Sequence, residues 1–290
     1  MPGRLILCAT PIGNLEDMSP RAVRTLEEAS VLACEDTRRT RKLLSHFGIS
    51  ARRLVVYNEG NERRKAEELV RVVERGQTLV LVSDAGMPGL SDPGYRLVTA
   101  CVERGFTVEV IPGPNAAVTA LALAGIAPGR FVFEGFLPRK RSERRRHIEG
   151  LRDEQRTIVI YESPHRIEAC LADLAPLLGE RRAVLARELT KLHEEVRRGT
   201  LDELLVQVRE DPPRGEIVVV VEGATGGHRA PPGPSELADE AERLMGEGIK
   251  RSEAMARVAK ERGVAKREVF DALLERKHSA EQSDGTEPGR

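Results

Sequence analysis

Tryptophan is absent from this 290-residue chain, and aromatic residues as a class make up only 3% of it. Ring platforms on which single-stranded bases could stack are therefore few. An excess of one charge is also lacking, since 46 Lys and Arg balance 46 Asp and Glu. No whole-molecule field draws in a polyanion, so such a partner must be met by local basic patches. The four cysteines, Cys8, Cys34, Cys101 and Cys170, are widely spaced, with no CxxC pair and no histidine-rich segment. That spacing argues against a disulfide framework or a thiolate metal centre and predicts buried free thiols in a reducing compartment. No run approaches the ~20 apolar residues of a membrane span, and the apolar stretch at 5–9 is too short for a signal-peptide core. The expected setting is the cytoplasm, without membrane contact.

Several nucleotide and catalytic signatures are missing as well. There is no GxxxxGK[ST] phosphate cradle, no GxGxxG after the first apolar run, no GxSxG elbow and no HExxH. These absences count against P-loop nucleotides, dinucleotides, the glycine-loop methyltransferase design and a resident metal.

What the chain does have is alternation. Short β-branched runs at 5–9, 31–34, 54–57, 78–82 and 107–111 read as strands, with helical patterns between them at 20–28, 37–47, 63–75, 94–104 and 115–124. This argues for a largely parallel sheet covered on both faces. After the Gly125–Gly129 break, strands are expected at 131–134, 157–161, 183–187, 194–198 and 216–221, with helices at 163–177 and 201–208. Their close spacing predicts a mixed sheet with antiparallel pairs. The expected organisation is an α/β lobe over 1–126, a second α/β lobe over 127–225 and a Gly- and Pro-rich linker at 226–234. A small helix-turn-helix-like appendage at 235–278 and a disordered tail at 279–290 complete it.

The loops after the strands come next, because open parallel sheets bind ligands beyond their carboxyl ends. They are rich in small residues: Ala9-Thr10-Pro11-Ile12-Gly13-Asn14-Leu15, Cys34-Glu35-Asp36-Thr37-Arg38, Ser83-Asp84-Ala85-Gly86-Met87-Pro88 and Ile111-Pro112-Gly113-Pro114-Asn115. Glycine lets backbone groups approach a ligand, and proline stiffens the loop. Clustered on one sheet edge, they would build a pre-formed, backbone-lined pocket suited to a phosphate-poor nucleoside.

Those motifs, with Tyr161-Glu162-Ser163-Pro164-His165-Arg166 and Arg187-Glu188-Leu189-Thr190-Lys191, resemble the ribosomal RNA small subunit methyltransferase I group of the tetrapyrrole-methylase-like fold. The resemblance spans about residues 4–223 in order and spacing. It implies a two-lobed tetrapyrrole-methylase-like architecture, the class III methyltransferase fold, with S-adenosyl-L-methionine bound between the lobes. It further implies 2′-O-methylation of a cytidine ribose in the decoding region of 16S ribosomal RNA, on an assembled small subunit, by a protein commonly dimeric. By motif position, Pro11, Asp84, Ala85, Gly86, Met87, Pro88, Pro112, Gly113, Pro114 and Asn115 should face the cofactor from the first lobe. Gly135, Phe136, Leu137, Tyr161, Glu162 and Ser163 should close over it from the second.

A ribose hydroxyl needs its proton accepted. Glu35, Asp36 and Glu188 are the carboxylates offered, although Asp36 is equally placed to cap the next helix. Lys191 could orient the ribose or hold phosphate, or else pair with a neighbouring glutamate. His165 reads as a loop-fixing hydrogen-bond donor. Two basic clusters, Arg38, Arg39 and Arg41 after the second strand and Arg139, Lys140, Arg144, Arg145 and Arg146 after the sixth, are the expected RNA contacts. A tetrapyrrole-precursor or diphthine-type methylase, or a non-catalytic RNA-binding factor, are the alternatives.

Overall fold

Five short, apolar runs form the first sheet: β1 (Arg4–Cys8), β2 (Val31–Cys34), β3 (Leu54–Val56), β4 (Thr78–Leu81) and β5 (Thr107–Ile111). In the computed structural model, which describes residues 3–224, 234–262 and 264–283, they lie in the order β3-β2-β4-β1-β5. Every pair is parallel. Parallel neighbours require crossovers, and α1 (Pro20–Glu28), α2 (Thr37–His46), α3 (Glu62–Glu74) and α4 (Tyr95–Glu103) supply them. Leu69, Val73, Leu97 and Cys101 cover one face of the sheet, and Leu26, Leu44, Ile49 and Met18 the other. Burial on both sides explains why the strands read as continuous apolar runs.

The second sheet contains β6 (Phe131–Phe136), β7 (Thr157–Glu162), β8 (Arg182–Arg187), β9 (Glu195–Thr200) and β10 (Ile217–Val221) in the order β6-β7-β10-β8-β9. Only β6 and β7 run parallel; the other neighbours are antiparallel. The helices α6 (Arg141–Gly150), α7 (Ile167–Leu178) and α8 (Leu201–Glu210) cover one face through Ile148, Leu171, Leu174 and Leu204. The opposite face receives α5 (Ala116–Leu123), which follows the last strand of the first sheet. Both sheets belong to one unit that ends at Ala224.

Two elements depart from the sequence reading. Helix α6 was read only as a basic cluster, because its apolar positions are few. What holds it is electrostatic: Asp173 of α7, buried, takes Arg144 at 2.7 Å, Arg141 at 3.1 Å and Arg145 at 3.3 Å. Arg144 is itself only 5% exposed. Helix α7 begins at Ile167 and not at Ser163, since Arg166 and Ile167 both donate their N–H to Ser163 O at 3.0 Å and close a turn first.

The second unit is built by α9 (Pro234–Gly246), α10 (Arg251–Arg262) and α11 (Lys266–Ser283). Leu237, Ala241, Leu244, Val258, Val269 and Leu273 form its core. Helix α11 continues to Ser283, past residue 279 where a disordered tail was expected; the rest of that tail lies outside the described residues. So does the expected linker, apart from Pro234, which opens α9.

Burial works against the ionised Asp173, but hydrogen bonds from Arg144, Arg141 and Arg145 hold its carboxyl below the usual range. Replacing it by alanine leaves Arg144 buried and unpaired, and urea denaturation should show a loss of about 3 kcal/mol. A carboxyl depressed in the folded state stabilises above its unfolded pKa of about 4 and loses that contribution as pH falls through the folded value. The difference between wild type and Asp173→Ala should therefore shrink in acid.

Candidate active site

The carboxyl ends of the central strands β1 and β4 are stitched together by an isolated antiparallel bridge. Thr10 N–H donates to Gly86 O at 2.9 Å, and Gly86 N–H donates to Thr10 O at 3.1 Å. The Ser83 hydroxyl also donates to Gly86 O at 3.1 Å, so residues 83–86 curl under the end of β1. Gly86 has φ +79°, and a Cβ there would meet Ile12 Cγ2 at 3.2 Å and Pro114 O at 3.5 Å. Only glycine suits that conformation and that crowding.

A second stitch joins the lobes. Asn14 N–H donates to Thr190 Oγ1 at 3.1 Å. A Cβ on Gly13 would lie 2.4 Å from Lys191 Cγ and 3.0 Å from Leu189 O, so the first loop touches the 187–191 segment directly. Tyr161 accepts the Ala117 N–H at 3.1 Å, and Asn115 caps α5 by accepting from Val118 N at 3.0 Å. These contacts fix the start of α5 against β7.

Between the lobes lies a hollow of about 270 Å³. Its first-lobe wall is Ile12, Ala85, Gly86, Met87, Leu90, Ser91, Asp92, Asn115 and Ala116. Phe136, Tyr161, Glu162, Ser163, Pro164, Leu189 and residues 215–218 close the other side. Phe136 and Tyr161 meet edge to face at 5.7 Å, giving an aromatic wall. A neighbouring hollow of about 290 Å³ shares Ile12, Ala85 and Glu216 and adds Pro11, Gly13, Leu15, Arg39, Lys42, Asp84 and Lys191. One chamber is apolar, with a few placed polar groups; the other sets Arg39, Lys42 and Lys191 among the carboxylates Asp84 and Glu216. The first suits a folded nucleoside donor such as S-adenosyl-L-methionine: small-residue backbone at 85–86, an aromatic wall and the Asp92 carboxylate for a cationic centre.

The predicted cofactor residues divide accordingly. Ala85, Gly86, Met87, Asn115, Phe136, Tyr161, Glu162 and Ser163 line the first hollow, Pro11 and Asp84 the second. Pro88, Pro112, Gly113, Pro114, Gly135 and Leu137 line neither. Gly113 presses on Ala9, where a Cβ would approach to 2.9 Å, and Leu137 is buried in the second lobe's core. Gly135, at φ +57°, makes room for Ser91 of the opposite lobe. Gly113, Gly135 and Leu137 thus back the walls without facing either hollow. Glu162 lines the hollow but is occupied, accepting from Ser163 N at 2.8 Å and pairing with Arg166 at 3.1 Å.

The expected bases fare unequally. Asp36 caps α2, and hydrogen bonds from Arg38 side chain and backbone pull its carboxyl down to about 2. Glu35 lines neither hollow; burial, with Asp84 and Glu59 nearby, pushes its carboxyl up. Glu188 accepts from Lys191 Nζ at 2.8 Å and from Glu216 N at 2.9 Å. Against the cost of burial, these bonds hold its carboxyl low. Lys191 also reaches Glu216 at 3.0 Å, and the two carboxylates outweigh burial to hold it protonated. His165 is exposed and makes no hydrogen bond among the described residues; Arg166 does the fixing instead, donating to Leu137 O at 2.6 Å.

The basic clusters also split. Arg38 is held by Asp36 at 2.7 Å and Arg39 lies 3.6 Å from Asp84, whereas Arg41 is exposed. In the second cluster Arg144 is buried and Arg145 shares Asp173, which corrects their reading as surface phosphate contacts: a buried carboxylate claims them. Lys140 pairs with Glu143 at 3.1 Å, leaving Arg139 and Arg146 exposed without an ion pair among the described residues.

Asp92 was missed by sequence reading, as were Gly215 and Glu216 before β10. Nothing in the string marks which carboxylate of the stretch after β4 turns inward. Burial, reinforced by Glu35 and Asp84, raises Asp92 to about 7. A cation entering the hollow favours the ionised form, so binding releases a proton and tightens as pH rises through that value. Calorimetry at about pH 6 and about pH 8 should show affinity for the cationic donor increasing in the wild type and flat in Asp92→Asn, with the neutral S-adenosylhomocysteine responding less.

Residues 4–205 match the family model of the tetrapyrrole (corrin/porphyrin) methylases. A Synechocystis protein named ribosomal RNA small subunit methyltransferase I is 45% identical over 274 residues, covering 94% of this chain and 98% of its own. One of the same name from Escherichia coli O157:H7 is 48% identical over 224 residues, covering 76% and 78%. Among solved structures, a diphthine synthase superposes with a TM-score of 0.58 at 14% identity, covering 76% of this chain and 90% of its own. The uroporphyrin-III C-methyltransferase of Thermus thermophilus, complexed with S-adenyl homocysteine, gives 0.52 at 18% identity, covering 75% and 96%. At those identities the structures speak for the fold alone. The crossover order of the first sheet, the mixed second sheet and the hollow between them agree with the sequence matches, and the chain belongs to the tetrapyrrole methylase family, in its ribosomal RNA small subunit methyltransferase I group.

Proposed function

We propose that this protein transfers a methyl group from S-adenosyl-L-methionine to the 2′-oxygen of a cytidine ribose in the decoding region of 16S ribosomal RNA. The substrate is an assembled small subunit, met in the cytoplasm, and the working form is a homodimer. The observation that carries the reading is the paired hollow: an apolar chamber that shares Ile12, Ala85 and Glu216 with a neighbour lined by Arg39, Lys42 and Lys191. A tetrapyrrole carboxylate could also use those cations, but the relatives that match most of the chain bear the ribosomal RNA name.

When bound, the donor supplies an electrophilic methyl carbon. The protein's own part is positioning. Residues 85–86 and Ala116 present backbone and small side chains to the first hollow; the bridge to Thr10 fixes Gly86, and Asn115 and Tyr161 fix the start of α5. Lys191, immobilised by Glu188 and Glu216, orients the ribose from the neighbouring hollow, while Arg39 and Lys42 meet phosphate. With Asp36 spent on capping and Glu188 and Glu216 both held by Lys191, Asp84 is the carboxylate of the second hollow left for the ribose. It accepts the 2′-hydroxyl proton, steadied by the Asp36 N–H at 3.0 Å.

Tritiated-methyl transfer to undermethylated small subunits tests the reading: label should appear on the ribose of 16S RNA. Label on protein, or none despite donor binding, removes it. In the same assay Asp84→Asn, which keeps the acceptor for Asp36, should lower kcat by about 10²-fold with donor affinity preserved. Paired Arg39→Glu and Lys42→Glu changes should weaken RNA binding and flatten its log–log salt dependence by about one unit per residue. An unchanged slope would place phosphate contact elsewhere.

A further inference from the structure

Leu192 is 93% exposed, the most exposed of the large apolar side chains among the described residues. A lone surface leucine would need no comment. Its support does. The segment that carries it holds Glu188 at φ +51° and Thr190 at φ +66°, two of the three non-glycine residues with positive φ among the described residues. Such backbone is unfavourable for side-chain-bearing residues and persists only where surrounding contacts impose it. Here they do: Thr190 N–H donates to Glu194 at 2.6 Å, Thr190 Oγ1 accepts from Asn14, and Lys191 is tied to Glu188 and Glu216. The segment is clamped, with an apolar tip pointing at solvent.

The clamp sits beside the cationic hollow. Lys191, next in the chain to Leu192, lines it, and so does Leu15, a second exposed leucine on the loop stitched to Thr190. Leu15 and Lys191 share that hollow with Arg39, Lys42, Asp84 and Glu216, and Leu192 follows directly on Lys191. A nucleotide stacked within RNA cannot bring its ribose into a hollow between two lobes; it must be splayed from its neighbours. Proteins that unstack nucleic acid insert apolar side chains such as leucine into the step they open. Aromatic platforms for this role are scarce here.

We propose that Leu192 is a wedge: it enters the RNA stack beside the target nucleotide and holds that nucleotide open toward the hollow, with Leu15 supporting the displaced neighbour. This rests on the ribosomal RNA reading and adds a positioning residue to it.

The test uses full-length protein with undermethylated small subunits for turnover, and a decoding-region RNA fragment carrying 2-aminopurine beside the target cytidine for unstacking. Wild-type protein should raise the 2-aminopurine fluorescence on binding. Leu192→Ala should lose that rise and fall about tenfold in kcat/KM, while Leu192→Met restores both and donor affinity stays constant in all three. Full fluorescence and turnover in Leu192→Ala overturns the wedge. A changed oligomeric state in that variant by light scattering also overturns it, because the leucine then packs against a second copy. Wild-type protein that methylates no RNA sinks the parent reading, and the wedge with it.

Discussion

An aliphatic seam with little side-chain bulk sets the spacing on which the rest of the molecule depends. Ala117, Ala120, Leu121 and Ala124 at helix α5 pack on Val159, Val184, Val218 and Val220 of the second sheet, with Ile12 and Leu189 at its edge. Alanines let the helix axis come close, and β-branched valines offer a stiff surface. Because α5 follows directly from the loop after β5, seating it on the second sheet also seats the carboxyl rim of the first. Asn115 and Tyr161 then secure the helix start, each through one backbone N–H. The bridge between Thr10 and Gly86 and the contact of Gly13 with the 187–191 segment complete the frame.

Within that frame the polar groups are allocated by local competition. Glu35, Asp36, Asp84 and Asp92 stand close to one another, yet each meets a different fate: half-buried and raised, capping and depressed, lining the nucleotide side, or turned into the apolar chamber. The arginines divide in the same way. Arg144 is structural because Asp173 is buried opposite it, while Arg39 and Lys42 stay at the surface beside the second hollow. The second hollow of this charge-balanced chain sets Arg39 beside Asp84 and Lys191 beside Glu188 and Glu216, so its cations are positioned by carboxylates.

Much of this was legible in the string because the signals were local. Ser19 before Pro20 marks the start of α1, and Asp36 marks that of α2, whereas the capping role of Asn115 emerges only in the fold. β-branched runs separated by helical stretches announced the parallel sheet, and the glycine-rich loops named the rim where the hollow opens. What stayed hidden depended on partners distant in sequence. Helix α6 could not be recognised without Asp173, about thirty residues on, to absorb its charge. Asp92 could not be singled out without Glu35 and the walls that desolvate it. Nor could Gly113 and Leu137 be moved from lining to support until their neighbours, Ala9 and the second lobe's core, were in place.

The apolar make-up of the inner chamber has a thermodynamic corollary. Its walls are already assembled, so an occupant displaces water from Ile12, Met87, Leu90, Phe136 and Val218 without ordering much chain. Removal of hydrated hydrocarbon surface lowers heat capacity, whatever the balance of enthalpy and entropy at any one temperature. Ligand entry should accordingly leave its clearest trace in the slope of the binding heat against temperature, with little contribution from coupled folding.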